Sequence, residues 1–397
     1  MQQSQAGKTS QPDVEGTAHA LVGSLRAIVE TTSPQPPSPT QLANQLGLSR
    51  VTVSKLLGSL DQSTLFDTLE RIPGPDSLRD FVRSTARINT SSELINSALS
   101  SIDRFETLIR DHFGTRDALH AAIGSQSTAL RSRIDMAARG DVFKGLRQVL
   151  GVEADTWLTA MIFVPHATDP EWASVTTIHG AIGMRRLRPD AEVYFTFGPP
   201  YHEADAEPQL SKSPVSLQEF YTNEPANLEV EMTGGQLRHR LVGDRLGKDA
   251  RADMLAVSHA VRASRRYAAP GSKLRGVSVF VDTPVRMLVA DAIVHRDIFP
   301  EREPELFVYN PGARGPANPN DPSRNADRVL TPEPVVHVPR SSERFEVDEV
   351  PNYRNMIESV SRQIGCVMSD FRVHRLRLAY PVPCFQHVIA FEAPDGK

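Results

Sequence analysis

The first 150 residues carry apolar side chains at helical spacing. From Gly16 to Glu30 the apolar positions recur every three or four residues, which predicts a helix. The proline-rich stretch 33–39 then predicts a loop. Helix is again predicted for residues 77–113 and 117–150. The first of these two segments carries a nearly heptad stripe, formed by Ile95, Ala98, Ile102, Phe105, Ile109 and Phe113.

After Gly151 the pattern changes to short apolar runs and to alternation, which predict strands. The predicted strands are 157–164, 192–197, 228–232, 237–241, 276–281, 286–294, 306–309, 371–380 and 386–391. The strands on either side of Gly234 and Gly235 are predicted to pair as a hairpin. Helices are predicted at 253–267 and 353–364. The polar, proline-rich residues 310–334 are expected to form a long mobile loop or an interdomain face.

Composition and charge narrow the class of protein. The chain has 397 residues, 40% hydrophobic and 23% charged, which is typical of a globular protein with two or three domains. Its N-terminus is polar, unlike a secretory signal, and it has no apolar run long enough to span a membrane. Its two cysteines are too few for a disulfide framework. We therefore expect a cytoplasmic protein that does not contact a membrane.

Residues 39–58 have the residue types that two short crossing helices require at fixed offsets. Ala43 is small where the helices would touch, and Gly47, four residues later, tolerates the positive φ of a tight turn. Ser49 is able to cap the second helix by accepting from a free backbone N–H. Apolar residues fill the five inward positions, which are Leu42, Leu46, Leu48, Val53 and Leu56.

This segment resembles the helix-turn-helix of bacterial transcription regulators. With the helix 16–30 before it and a strand-turn expected at Leu65–Pro73 after it, the unit is similar to a winged helix-turn-helix. The resemblance covers residues 39–58 closely and implies that the second helix reads double-stranded DNA in the major groove. The alternatives are an ordinary helical hairpin and a helix-turn-helix used for protein contact.

The residues that the resemblance assigns to DNA binding are Thr40, Gln41, Ser49, Arg50, Val51, Ser54 and Lys55. Arg50 is suited to a guanine edge or a phosphate, and Val51 to a thymine methyl group. Thr40 and Gln41 begin the first helix, where a side chain and backbone N–H groups together suit a phosphate. No acidic residue falls between Gln41 and Leu60, so no carboxylate of this segment repels DNA.

The predicted fold class is a multidomain α and α+β protein. Its domains are a disordered tail at 1–14, a helix-turn-helix domain at 15–75, a helical connector at 76–150, and an α+β domain rich in antiparallel strands at 151–397. The connector's stripe has two interpretations. It faces the core of the chain itself, or Ile95, Ile102, Phe105 and Ile109 pair with a second copy in a homodimer on a two-fold DNA site.

Other clusters of polar residues give weaker evidence for a functional site. Segment 295–297, with Glu301 and Glu303 nearby, is a poor metal site because it lacks a second histidine at helical spacing. The arginine clusters 185–188, 262–266 and 372–377 are interpreted as solvated faces. No phosphate loop, dinucleotide fingerprint or nucleophile elbow is found, so no cofactor, metal or catalytic residue is predicted.

The function expected is a transcriptional regulator whose C-terminal domain senses a small-molecule effector or mediates assembly. The alternatives are an enzyme carrying a DNA-binding module and a protein-interaction scaffold.

Overall fold

The computed structural model describes residues 13–32, 38–88, 90–124, 128–197, 217, 220, 228–233, 236–243, 245–339 and 341–396. The tail predicted for residues 1–14 therefore lies almost wholly outside the described residues, as does most of the proline-rich loop. The chain divides into two compact units, Met1–Ile134 and Asp135–Lys397, which we call the N-terminal and C-terminal units. None of the described helices combines the length and the apolar character needed to cross a lipid bilayer.

Helices build the N-terminal unit. They are α1 (Val14–Thr32), α2 (Pro39–Leu46), α3 (Arg50–Leu60), α4 (Leu65–Arg71), α5 (Pro75–Ser84), α6 (Ser92–Leu108) and α7 (Arg116–Gly124), and α8 (Thr128–Leu150) runs across the boundary. Local signals explain where several of them begin. Ser38, Ser49, Thr64 and Ser91 each accept a hydrogen bond from a backbone N–H of the first turn. The helix predicted at 16–30 is confirmed as α1.

The core of the N-terminal unit is centred on α6, which packs against α1 and α5. Ala98, Ile102 and Phe105 are completely buried there, among residues of α1 such as Leu21 and Leu25. The apolar stripe therefore faces the chain's own core, and its central residues are not available to a second copy. The single helix predicted for 77–113 is in fact α5, a 3-10 turn, α6 and a π-helical segment at Ile109–Phe113.

The strand-turn expected at Leu65–Pro73 is wrong, because this segment forms α4. The Thr64 hydroxyl accepts a hydrogen bond from the Asp67 amide and donates one to the Asp67 carboxylate. This reciprocal cap starts a helix locally, and Leu69 on that helix is fully buried in the unit's core. The described residues after α3 thus contain a helix in the position where a winged protein has its hairpin.

The C-terminal unit is a layered α+β structure. Its strands are β1 (Val152–Pro165), β2 (Trp172–Arg186), β3 (Tyr194–Phe197), β4 (Leu228–Thr233), β5 (Gln236–Leu241), β6 (Ala252–Arg265), β7 (Leu274–Phe280), β8 (Val285–His295), β9 (Glu305–Tyr309), β10 (Val336–His337), β11 (Phe371–Ala379) and β12 (Gln386–Glu392), and its helix is α9 (Tyr353–Gln363). A six-stranded sheet has the order β10-β11-β8-β1-β2-β6, in which only the β1–β8 pair is parallel.

Both faces of the six-stranded sheet are covered. Helix α9 packs on one face with Tyr353, Met356 and Ile357. The three-stranded sheet β7-β12-β9 covers the other face, with Ile389 and Phe391 in its core. A second three-stranded sheet, β3-β5-β4, contains the predicted hairpin, whose two strands pair antiparallel while the turn between them lies outside the described residues.

In this unit one sequence prediction is wrong and one strand was not predicted. The helix predicted at 253–267 is wrong, because residues 253–265 belong to β6, where Leu255 packs towards α9 and Met254 towards the opposite face. Strand β2 was not predicted, since burial on both faces removes the alternation that marks an exposed sheet. In segment 310–334 the buried Arg324 donates to the carbonyls of Gly315 and Pro316, which argues against the mobile-loop alternative and leaves the interdomain face a prediction.

Candidate nucleic-acid interface

The turn between α2 and α3 has the geometry that the sequence predicts. Gly47 has φ 67° and ψ 34°, in the left-handed region that favours glycine. Its N–H donates to the carbonyls of Ala43 and Asn44, and the Leu48 amide donates to Ala43 over 2.9 Å. Ala43 is buried, with 3% of its surface exposed. The two predictions made for Gly47 and Ala43 are therefore confirmed.

Two serines close the N-terminal ends of these helices. The Ser38 hydroxyl accepts from the Gln41 amide and the Ser49 hydroxyl from the Val51 amide, each over 3.2 Å. Ser49 thus acts as the predicted cap of α3, and the residue is exposed. The first turns of α2 and α3 contain no acidic residue, so their free N–H groups and dipoles present positive potential to solvent.

Helix α3 has one buried side and one exposed side. Val53 and Leu56 pack into the core of the N-terminal unit, which fixes the helix's rotation. All seven side chains assigned to DNA binding are exposed, namely Thr40, Gln41, Ser49, Arg50, Val51, Ser54 and Lys55. Val51 is 77% exposed, which is high for an apolar side chain in the first turn of a helix.

Arginines from distant helices hold α3 and α4 in place. Arg26 of α1 donates to the Leu60 carbonyl at the end of α3 over 2.6 Å. Arg133 of α8 pairs with both Asp67 and Glu70 of α4. Burial opposes the charged form of Asp67, but the hydrogen bonds from Arg133 and Thr64 outweigh it and lower the pKa of that carboxyl. The α4 carboxylates beside the interface are therefore bound by a cation of the chain itself.

Sequence reasoning missed a buried polar cluster in the C-terminal unit. Arg375, which was grouped with solvated arginines, is 2% exposed and binds Asp291, which is completely buried. The Tyr353 hydroxyl donates to the same carboxylate, and burial, reinforced by the charge of Asp291, raises the pKa of Tyr353 well above its usual value. Because Arg375 also donates to the carbonyls of Arg344 and Phe345, it attaches that segment to the sheet.

The other sequence candidates do not form a metal centre among the described residues, where no group of three or more histidine, cysteine, aspartate or glutamate side chains could hold an ion. The His295 ring instead accepts from the Asp297 amide over 3.2 Å. Comparison with models of protein families and with curated proteins finds no match to this chain. The helix-turn-helix geometry is therefore the basis for proposing a function.

Proposed function

We propose that this chain is a sequence-specific transcriptional regulator that binds double-stranded DNA through α3. The observation that carries the proposal is the exposed face of α3, which starts beside a glycine turn and contains Arg50, Val51, Ser54 and Lys55 with no carboxylate. A buried opposite face holds this helix rigidly, as groove insertion requires. A solvated helix of a neutral domain would more often mix both signs of charge.

In this proposal each exposed residue has a distinct role. Arg50 donates to a guanine edge, and Val51 contacts a thymine methyl group. Ser54 and Lys55, one turn further along the helix, contact bases or phosphates farther into the groove. Thr40 and Gln41, with the free N–H groups that begin α2, bind a phosphate and fix the orientation of the domain.

The larger C-terminal unit serves sensing or assembly in this proposal. A single helix-turn-helix reads one half-site and binds weakly, so we propose that two copies bind a two-fold operator. The C-terminal unit then receives a small-molecule effector or contributes to the dimer. We propose that such a regulator acts in the cytoplasm.

Capture of genomic fragments by the purified full-length chain, followed by sequencing, tests the proposal. We expect the enriched fragments to share a motif with two-fold symmetry, and Arg50→Ala to lose preference for that motif. Binding should weaken steeply with salt, because phosphate contacts release counterions. Enrichment no greater than with unrelated protein, or binding that ignores salt, would reject the proposal.

A protein-contact function is the second candidate, and the exposure of Val51 favours it specifically. An apolar side chain at the tip of a helix is able to anchor a partner protein as well as a thymine methyl group. The two candidates differ in the effect of Val51→Ala. A DNA reader loses discrimination at one base pair of its site, whereas a protein-contact module loses its partner and binds no duplex.

A further inference from the structure

Arg87 lies against the helix-turn-helix, although it is separated from that motif by two helices in the sequence. It belongs to the short 3-10 turn Thr85–Ile88 that follows α5. Its Nη1 is 3.4 Å from the carbonyl oxygen of Leu46, the last residue of α2. Its side chain is otherwise exposed, so one weak hydrogen bond leaves most of its five N–H donors open to solvent.

Gly47 leaves the space that the Arg87 guanidinium occupies. A Cβ atom built on Gly47 would lie 3.2 Å from Nη1 of Arg87, closer than ordinary van der Waals contact. The glycine therefore has two roles, since it adopts a positive φ and it admits a cation to the turn. Arg50 begins α3 only three residues later, which places its Cα within about 11 Å of the Gly47 Cα.

In the part of the chain that the structure describes, Arg87 has no carboxylate partner, unlike several other arginines of the N-terminal unit. Arg79, Arg110 and Arg133 each form an ion pair with a carboxylate. Among the described residues, no carboxylate forms an ion pair with Arg50, Lys55 or Arg87. Arg87 at the turn, and Arg50 and Lys55 on the exposed face of α3, thus have no carboxylate partner among the described residues, a property that they share with Arg83 and Arg104 elsewhere in the unit.

From these observations we infer that Arg87 binds a phosphate of the DNA backbone beside the groove that α3 enters. This inference rests on the proposed function and adds a contact that the helix-turn-helix segment does not contain. A winged protein gains backbone contacts from its hairpin, but here α4 occupies that position and its carboxylates are bound to Arg133. The major groove is about 12 Å wide, so phosphates on its wall are within reach of a guanidinium held at the turn.

The test measures affinity of the full-length chain for a mixed-sequence 30-base-pair duplex at several salt concentrations. A phosphate contact is independent of sequence, so this probe does not require the operator to be known. We expect Arg87→Gln to weaken binding about tenfold near 100 mM salt. We also expect it to reduce the slope of log K against log salt by about 0.9, which is the value for one phosphate.

Two further variants separate a phosphate contact from a structural role. Arg87→Lys keeps the charge, so it should retain the wild-type salt slope and most of the affinity. Arg110→Gln removes an exposed arginine that is paired with Asp111 and should change neither quantity. Circular dichroism of each variant checks that the helices are intact.

Three outcomes would overturn the inference. If Arg87→Gln behaves like Arg110→Gln while Arg50→Ala abolishes motif preference, Arg87 does not touch DNA and the proposed function stands. If Arg87→Lys loses as much affinity as Arg87→Gln with an unchanged salt slope, Arg87 acts only by holding the turn. If the wild-type chain binds no duplex at all, the inference and the proposed function fail together.

Discussion

The Arg375 guanidinium donates two hydrogen bonds of 2.8 Å to the Asp291 carboxylate at a place that solvent does not reach. These residues face each other across the β11–β8 pair, because Arg375 is the register partner of Asp291. The Tyr353 hydroxyl of α9 donates to the same carboxylate, so the ion pair joins the helix layer to the sheet. Removal of one partner would leave the other charged and buried.

Asp291→Ala should destabilise the C-terminal unit by about 3–5 kcal/mol, because Arg375 loses its counter-charge in the core. Tryptophan fluorescence during urea unfolding measures this directly, since both tryptophans of the chain, Trp157 and Trp172, are buried in that unit. Asp141→Ala is the control, because its pair with Lys144 is exposed on both sides and should cost less than about 1 kcal/mol. Equal losses for the two variants would contradict a buried, stabilising pair.

The stability of the C-terminal unit should decrease as the pH falls below 6.5. Burial lowers the pKa of His179 to about 3 and that of His374 and His387 to about 4, from an ordinary value of 6.5. In the window between about 4 and 6.5 the unfolded chain binds protons that the folded chain does not. Each histidine therefore lowers the free energy of unfolding by up to about 1.4 kcal/mol per pH unit of acidification.

Urea unfolding at pH 7.5, 6.0 and 5.0, followed by tryptophan fluorescence, checks this dependence. His374→Gln should reduce its slope but not abolish it, since burial also lowers the pKa of His179, His259 and His387 in the same unit. A free energy of unfolding that is constant from pH 7.5 to 5.0 would show that the three rings are protonated as easily when folded as when unfolded.

Gly47→Val should unfold or distort the helix-turn-helix and abolish duplex binding. A side chain at φ 67° costs at least ~1–2 kcal/mol, and its Cβ would also press on Arg87. Gly23→Ala in α1 is the matched control, because nothing lies within 4 Å of its Cβ position and alanine favours helix by about 1 kcal/mol. Fluorescence of the C-terminal unit should be unchanged in both variants, and duplex binding by Gly47→Val at wild-type affinity would count against the turn's role.

Arg50→Ala and Lys55→Ala should weaken DNA binding in different ways. Loss of a base contact by Arg50 costs about 1–3 kcal/mol on the selected operator and little on unrelated sequence. Loss of a phosphate contact by Lys55 weakens binding to all duplexes alike and flattens the salt dependence. Titrations of an operator and a scrambled duplex distinguish the two patterns. Unchanged affinity in both variants, with the helices intact, would remove α3 from the groove.

Ile102→Glu should unfold the N-terminal unit rather than separate a dimer. Ile102 is completely buried against α1 in the chain's own core, so the glutamate is left in an apolar environment. We expect helical signal and DNA binding to be lost while tryptophan fluorescence is retained. A folded variant that sediments at half the mass of the wild type would instead place this residue in an interface between copies. Ile102→Val, which should cost only ~0.5–1.5 kcal/mol, serves as the control.

Elements whose signals are local can be predicted from the amino-acid sequence. Residues 39–58 specify two capped helices and a glycine turn, because caps, a small contact residue and a positive φ act within a few positions of one another. Strands β8, β11 and β12 and helix α9 were likewise predicted within a few residues of their bounds, since each is a continuous apolar or periodic run ended by polar residues. The exposed site residues follow from that same local periodicity.

Features that depend on residues far apart in the chain are evident only in the folded structure. Strand β6 directs apolar residues to both faces of the sheet, Met254 to one and Leu255 to the other, so they show no simple alternation, and only pairing with β2 makes the segment a strand. Whether the α6 stripe faced the core or a second copy was settled by packing against α1. No local pattern in the amino-acid sequence distinguishes Arg375 or Arg87 from the other arginines. Arg375 binds Asp291, which is 84 residues away in the sequence, and Arg87 binds the Leu46 carbonyl, which is 41 residues away. Such contacts exist only once the chain has folded.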